Sequence, residues 1–350
     1  MKKIVFVLGS LGRGGAERVI SILSRDYAEK GWETSICLLL SNRVDYSIHE
    51  STKICDFSGG NGSRLKKLPY WLKSIRSYVK KEKPDVVVSF AARINVIVQI
   101  ACLGLNQRII LSERNDPQYD GRGFITKSLT NILYPHASAI VFQTNRVKKQ
   151  FGKKIQKKGV VIPNPIDVSV HTENTNIDKI VSVGRLTTQK NQKMLINAFA
   201  DLLKVFPSKE LWIYGDGELR KELEQQITSL GIEGKVHLPG NIPDIHEQIK
   251  DAALFVLSSD YEGLSNALLE AIVMGLPCIS TNCAGADEYI IDHKNGLLVQ
   301  VGDENGLSNA MIELFENNAL REKCAQNAQQ INDKITKHHV LELWHEAIDK

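Results

Sequence analysis

The sequence predicts an α/β protein made of two consecutive, doubly wound parallel-sheet domains facing a central cleft. Three observations predict it. Short apolar runs alternate with helical periods along all 350 residues, a length that suits two domains of roughly 150–180 residues better than one. The alternation breaks at Pro163-Asn164-Pro165 and then restarts. Glycine-bearing loops recur where an apolar run gives way to a helix, the edge at which open parallel sheets hold ligands. The expected domains are 1–165 and 166–330, and the last stretch, 331–350, is long enough to return to the first domain.

The first element, a strand at 3–8, rests on the apolar run Ile4-Val5-Phe6-Val7-Leu8. Two lysines before it imitate a secretory signal, but the run is short and ends in a Gly/Arg loop rather than a small-residue cleavage site. Helical patterning follows at 16–30. Strands at 33–40, 86–90, 108–112 and 139–143 then alternate with helices at 69–81, 95–103, 123–134 and 145–150. A short strand at 160–162 precedes the proline break. Beyond it, strands are expected at 179–183, 211–214, 236–238, 254–257, 278–281 and 296–299. Helices at 191–205, 218–230, 245–250, 266–274 and 305–316 connect them, and one long helix covers 319–349.

Composition narrows the class. Hydrophobic residues make up 43% and charged residues 24%, as in a soluble globular chain, and no run approaches the roughly 20 apolar residues that span a bilayer. Six cysteines form no C-x-x-C pair, which suits buried free thiols in a reducing, cytoplasmic compartment. The net charge of +4 hides an asymmetry: residues 1–165 hold 28 Lys+Arg against 12 Asp+Glu, and the remainder 16 against 28. Eight basic residues and one acid fall within 64–83. There Leu65, Leu68, Leu72, Ile75 and Val79 form one helical stripe, with Trp71 beside it and Lys66, Lys67, Lys73 and Arg76 around it. Such a helix suits peripheral contact with an anionic membrane or packing onto its own domain, and both readings stay open. No recognition-helix module or aromatic-interleaved basic motif points to nucleic acid.

Four loops carry the chemistry. Gly12-Arg13-Gly14-Gly15-Ala16-Glu17 joins the first strand to the first helix, where free N–H groups suit an anion. It fails as a dinucleotide fingerprint because Glu17 stands at the third glycine position and the second strand ends without a ribose-binding acid. Gly184-Arg185 with Lys190 places two cations on the first loop of the second half, a pair suited to a diphosphate. Tyr214-Gly215-Asp216-Gly217 and Leu238-Pro239-Gly240 read as turns at the same edge. The most specific segment is Glu262-Gly263-Leu264-Ser265-Asn266-Ala267-Leu268-Leu269-Glu270-Ala271: one carboxylate on a loop after a strand, a second in the helix behind it, each able to accept two hydroxyl hydrogen bonds.

Taken together, these motifs resemble the retaining glycosyltransferases of family 4, which have the GT-B fold of two Rossmann-like domains, and the resemblance covers essentially the whole chain. The Gly-Gly-Ala-Glu-Arg start and Ser112-Glu113-Arg114-Asn115 are similar to bacterial enzymes of surface-polysaccharide or lipid-linked oligosaccharide synthesis. The resemblance implies that Arg185 and Lys190 hold the donor diphosphate, Glu262 binds the transferred sugar near its anomeric carbon, and Glu270 holds the ribose. It further places Pro239-Gly240 near the base, Gly14 and Gly15 near diphosphate and acceptor, and the amides of Gly263, Leu264 and Ser265, with Gly184, Gly215 and Gly217, around the donor. Glu17, Glu113 and Arg114 are candidate acceptor or sugar contacts. Arg114 stands where many relatives carry histidine, and pairing with Glu113 is one expectation for it; His136 is a weaker alternative. The absence of Asp-x-Asp implies no metal and no cofactor beyond a donor substrate, expected to be a UDP-sugar, with a lipid-linked or oligosaccharide acceptor. A sugar-nucleotide epimerase or hydrolase, using Glu113 and Asp116, and a catalytically silent membrane-docking partner are the alternatives.

Overall fold

The computed structural model describes all residues except 13, 60, 61, 169, 171, 173, 174, 284, 329–331 and 350, and only the backbone at 332 and 333. Arg13 of the first loop therefore lies outside the described residues. The chain divides into two compact units: residues 1–164 with 340–350, and residues 165–339.

Seven strands build the first unit: β1 (Lys3–Leu8), β2 (Glu33–Leu38), β3 (Lys53–Asp56), β4 (Val86–Phe90), β5 (Ile109–Ser112), β6 (Ala139–Phe142) and β7 (Gly159–Val161). They pair in parallel in the order β3-β2-β1-β4-β5-β6-β7. Six strands build the second: β8 (Asn176–Val183), β9 (Glu210–Tyr214), β10 (Val236–Gly240), β11 (Ala252–Leu257), β12 (Cys278–Thr281) and β13 (Leu297–Val299). Their order is β10-β9-β8-β11-β12-β13, again with every pair parallel. In each unit the strand order reverses beside the first strand, so a crevice opens between β1 and β4 and between β8 and β11. Both sheets are two-sided. Leu254 and Val256 of β11 pack on one face, Phe255 and Leu257 on the other, which is why its sequence is apolar throughout. All six cysteines are buried free thiols, in line with their scatter through apolar runs.

Several elements differ from the sequence pattern. The four-residue edge strand β3 escaped it because only Cys55 of Lys-Ile-Cys-Asp is buried. Leu40 lies past the end of β2 and is 41% exposed. The helix expected at 69–81 runs from Arg64 to Glu82 and accommodates Pro69 in its second turn. In place of one helix over 319–349 the described residues form three, Asn318–Ala328, Asn332–Ile335 and Lys337–Asp349. The last break has a backbone cause: the Lys337 N–H donates to Ile166 O, and the Ile166 N–H donates to Ile335 O, so both groups leave the helical ladder for a bridge. Beyond it, Val340, Trp344 and Ile348 enter the same apolar cluster as Ile4, Phe6 and Val88 of the first sheet.

The amphipathic stripe also resolves. Trp71, Ile75 and Val79 are buried, and Arg76 donates to Ala101 O and Leu103 O at 2.9 and 2.8 Å, so these residues dock the helix on its own unit. Lys67 donates to Ser58 O. Only Lys66 and Lys73 of the five expected membrane contacts are fully outward. No helix among the described residues is long and apolar enough to cross a membrane.

Candidate active site

In the second unit the loops after β8 and β11 meet at the switch point. The first passes through Gly184 and Arg185, makes a single 3-10 turn at Thr188–Lys190, and reaches Asn191 at φ +46°, a left-handed conformation that Asn tolerates. The Asn191 side chain caps the helix Gln192–Leu203 by accepting from the Met194 N–H. The second loop runs from Ser258 to Ser265, whose hydroxyl accepts from Leu268 N–H and caps the helix Asn266–Met274.

Lys190 Nζ lies 2.5 Å from Glu262 Oε1. Ser259 Oγ donates to the same oxygen at 2.9 Å, and Gln189 Nε2 lies 3.3 Å from Oε2. Further bonds stitch the loops together: Asn191 to Asp260 Oδ1 at 2.7 Å, Ser258 Oγ to Lys190 O at 2.9 Å, and Asp260 N–H to Gln189 O at 2.9 Å. A carboxylate only 7% exposed is thus held by a cation and two neutral donors, and its position is fixed from both loops. Burial and the Glu262 charge push the nearby Cys283 thiol up to about 12, so it stays protonated at neutral pH.

Glu270 is equally buried, and His246 Nε2 of the helix Ile245–Ile249 lies 3.3 Å from its Oε2. That histidine had no sequence signal, because a lone His in a short amphipathic helix reads as surface. The Arg185 side chain is exposed, and its carbonyl, not its guanidinium, is tied down, by Gln192.

The glycines of the neighbouring loops serve close packing of backbone on backbone. A Cβ on Gly215 would sit 2.0 Å from Gly184 O, and one on Gly217 2.3 Å from Leu186 O. Their bareness lets the β9 loop lie directly on the β8 loop, with Leu186 N–H donating to Asp216 O. Pro239 and Gly240 belong to an irregular end of β10 rather than to a free turn, and Gly215 N–H donates to Gly240 O. Arg220, unremarkable in sequence, ties this edge together through Asp216 at 3.0 Å and Leu238 O at 3.2 Å. Leu264 is buried in the core, and the amides that open the helix begin at Asn266, after the Ser265 cap. Gly263, before Leu264, is buried as well.

In the first unit the helix Gly15–Glu29 begins after Gly14, and the Glu17 carboxylate folds back so far that a Cβ on Gly14 would meet Glu17 Oε2 at 2.3 Å. The Glu17 carboxylate thus lies beside the helix N-terminus expected to face an anion. Glu113 does not pair with Arg114. It is 1% exposed and accepts from Arg122 Nη2 at 2.6 Å and from the Tyr134 hydroxyl. Asp116 accepts from Gln150. Arg114 instead lies over the rings of Phe90 and Trp344 and donates to Asn164 Oδ1 at 3.0 Å. Burial pulls its guanidinium down to about 9. His136 is exposed at the end of a 3-10 turn.

A Glycosyltransferase Family 4 model matches residues 13–170, and a Glycosyl transferases group 1 model matches residues 164–331. The chain belongs to the family 4 glycosyltransferases. Its GT-B fold is shared with a crystal structure of Anabaena HepE in complex with UDP and glucose, at a TM-score of 0.84 and 20% identity over 100% of both chains. A similar curated glycosyltransferase is the Campylobacter jejuni GalNAc-alpha-(1->4)-GalNAc-alpha-(1->3)-diNAcBac-PP-undecaprenol alpha-1,4-N-acetyl-D-galactosaminyltransferase, 28% identical over 98% of this chain and 97% of that one. The Rhizobium meliloti lipopolysaccharide core biosynthesis glycosyltransferase LpsE is 27% identical over 91% of this chain and 90% of its own. In this glycosyltransferase the loop bearing Glu262 and the helix bearing Glu270 follow β11, and Lys190 holds Glu262 at 2.5 Å.

Proposed function

We propose that the protein transfers a hexosyl or N-acetylhexosaminyl group from a UDP-sugar to a lipid-linked or growing saccharide in bacterial glycan synthesis, with retention at the anomeric carbon and without a metal. It works in the cytoplasm, peripherally at the inner face of the membrane. The observation that carries the reading is the Lys190–Glu262 contact of 2.5 Å at the β8/β11 switch point. A half-buried ammonium beside a buried carboxylate offers one group to the departing diphosphate and the other to sugar hydroxyls. Arg185, exposed on the same loop, folds onto the diphosphate in this reading, and the equally buried Glu270 holds the ribose. Support for the donor comes from the UDP and glucose bound to Anabaena HepE, and for the acceptor from the undecaprenyl diphosphate in the name of the Campylobacter jejuni relative.

Cys283, the thiol near Glu262, is held protonated. In this reading the acceptor hydroxyl attacks from the face the diphosphate leaves, and the departing phosphate oxygen takes its proton. The epimerase alternative loses its acid–base pair, because Glu113 is taken by Arg122 and Asp116 by Gln150. The test is to incubate the protein with UDP-sugars and a prenyl diphosphate disaccharide and to read the product by NMR. An α-linked product from an α-donor that disappears in Glu262→Gln supports the reading. An inverted product, or UDP-sugar epimerised without acceptor, overturns it.

A further inference from the structure

The first unit carries a second cavity with a chemistry foreign to a sugar site. A groove of about 650 Å³, within the usual range of small-molecule sites, runs along the helices Arg64–Glu82, Ala92–Ala101 and Phe124–Leu133. Leu68, Trp71, Ile97 and Ile100 line it. Around it stand Leu65, Phe124 and Ile125, which are 82%, 84% and 74% exposed. Large apolar side chains gathered around a concavity mark a surface that binds something apolar.

The groove is continuous with a polar pocket. Leu40, Arg93 and Ile94 line both it and a cavity of about 300 Å³ at the ends of β4 and β5, which Arg114 also lines. Arg122 in that pocket is neutralised by Glu113 and Asp120, at 2.6 Å each. Among the described residues Arg114 has no acidic partner, and its Nε and Nη2 are buried without any hydrogen bond. Arg93 is exposed and, among the described residues, donates to Gly121 O. A buried guanidinium with two idle donors calls for an anion. The groove rim adds Arg64, at the start of a helix with no acid before its last residue.

We propose that groove and pocket form one site for an isoprenoid diphosphate: the hydrocarbon chain lies along Leu65, Trp71, Ile97 and Ile125, and the diphosphate bridges Arg93 and Arg114. This rests on the lipid-linked acceptor of the preceding section and assigns the place where its lipid end is held. A flat bilayer surface is the weaker occupant, because Trp71, Ile75 and Val79 of the amphipathic stripe are turned inward and the apolar surface left over is concave.

Calorimetric titration with farnesyl diphosphate, in saturating UDP to block a diphosphate site in the second unit, tests it. The expected result is binding at least about tenfold tighter than farnesol or inorganic diphosphate alone. Leu65→Asp and Ile125→Asp, both at solvent-exposed positions that spare folding, should weaken it about tenfold or more. Arg93→Ala should reduce farnesyl diphosphate to the affinity of farnesol. UDP protection against thermal unfolding, measured on the same variants, should not change. Equal binding by wild type and Ile125→Asp, equal binding of inorganic diphosphate, or binding to phosphatidylglycerol vesicles but not to farnesyl diphosphate overturns the proposal. Loss of UDP protection in the wild type instead sinks the donor reading and leaves the groove to be judged by farnesyl diphosphate alone.

Discussion

Lys190 holds two jobs that a single substitution separates. Its ammonium neutralises Glu262, whose side chain is 9% exposed, and it faces the space where a donor diphosphate is proposed. In Lys190→Met the carboxylate keeps Ser259 and Gln189 but loses its counter-charge, which should cost about 1–3 kcal/mol in thermal unfolding. Turnover should fall by a factor of about 10²–10³, as when a donor to developing charge is removed. Adding Glu262→Gln to Lys190→Met should recover much of the stability and none of the activity; recovery of neither would mean the pair is not the unit described. At this scale the two glutamates and Lys190 were legible because their loops carry an unusual residue order. Gln189, His246 and Arg220 were not, since each matters only through a partner that folding brings near. Of the two expectations for Arg114, pairing with Glu113 fails for the same reason: Arg122, nine residues away from Glu113, takes the carboxylate.

Strand register brings together groups that sequence keeps apart. Cys37 of β2 and Cys55 of β3 are directly opposite each other. A hydrogen bond from Cys37, aided by Tyr78 and Lys53, pulls the Cys55 thiol down to about 6, whereas the bond to Cys55 and burial push Cys37 well up. Cys55 is an acid with a depressed folded pKa, so its contribution to stability is present above the ordinary thiol value of 9.0 and is lost as pH falls through about 6. Ultraviolet thiolate absorbance should show one group ionising near pH 6, absent in Cys55→Ser and moved upward in Cys37→Ala. Stability should rise with pH across that window more steeply in wild type than in Cys55→Ser; equal slopes would refute the assignment. The β8 and β9 loops give a second element-scale test. Because backbone oxygens, not flexible side chains, meet the added Cβ, Gly215→Ala and Gly217→Ala should each cost about 2–3 kcal/mol and weaken UDP protection as the loops separate. Long apolar strands and their order of alternation with helices could be read directly, whereas β3 and the breaks in the last helices could not. A four-residue edge strand with one buried side chain has no period to detect, and the break at Lys337 depends on Ile166, some 170 positions earlier in the chain.

At the scale of the whole chain, the last turns belong to a core laid down by the first strand. Val340, Trp344 and Ile348 are fully or almost fully buried beside Ile4, Phe6 and Phe90, and the Trp344 indole stacks on Phe90 with centroids 5.8 Å apart. Length alone suggested that this segment returns to the first domain, but which side chains anchor it was invisible, because the pattern reads as an ordinary amphipathic helix. Trp344→Ala removes the largest buried side chain of that cluster and should cost about 3–5 kcal/mol, all of it in the unit containing residues 1–164. The Arg114 guanidinium, 5.5 Å from the same ring, loses one of its two aromatic covers at the same time. Calorimetry of the full chain with and without UDP distinguishes the units. A ligand at about 100 times its Kd adds about 2.7 kcal/mol to the unit that binds it. In Trp344→Ala the UDP-insensitive transition should move to lower temperature while the UDP-sensitive one stays in place. A shift of both transitions by the same amount would mean that the two sheets melt as one cooperative body and that the core around Trp344 supports the donor loops as well.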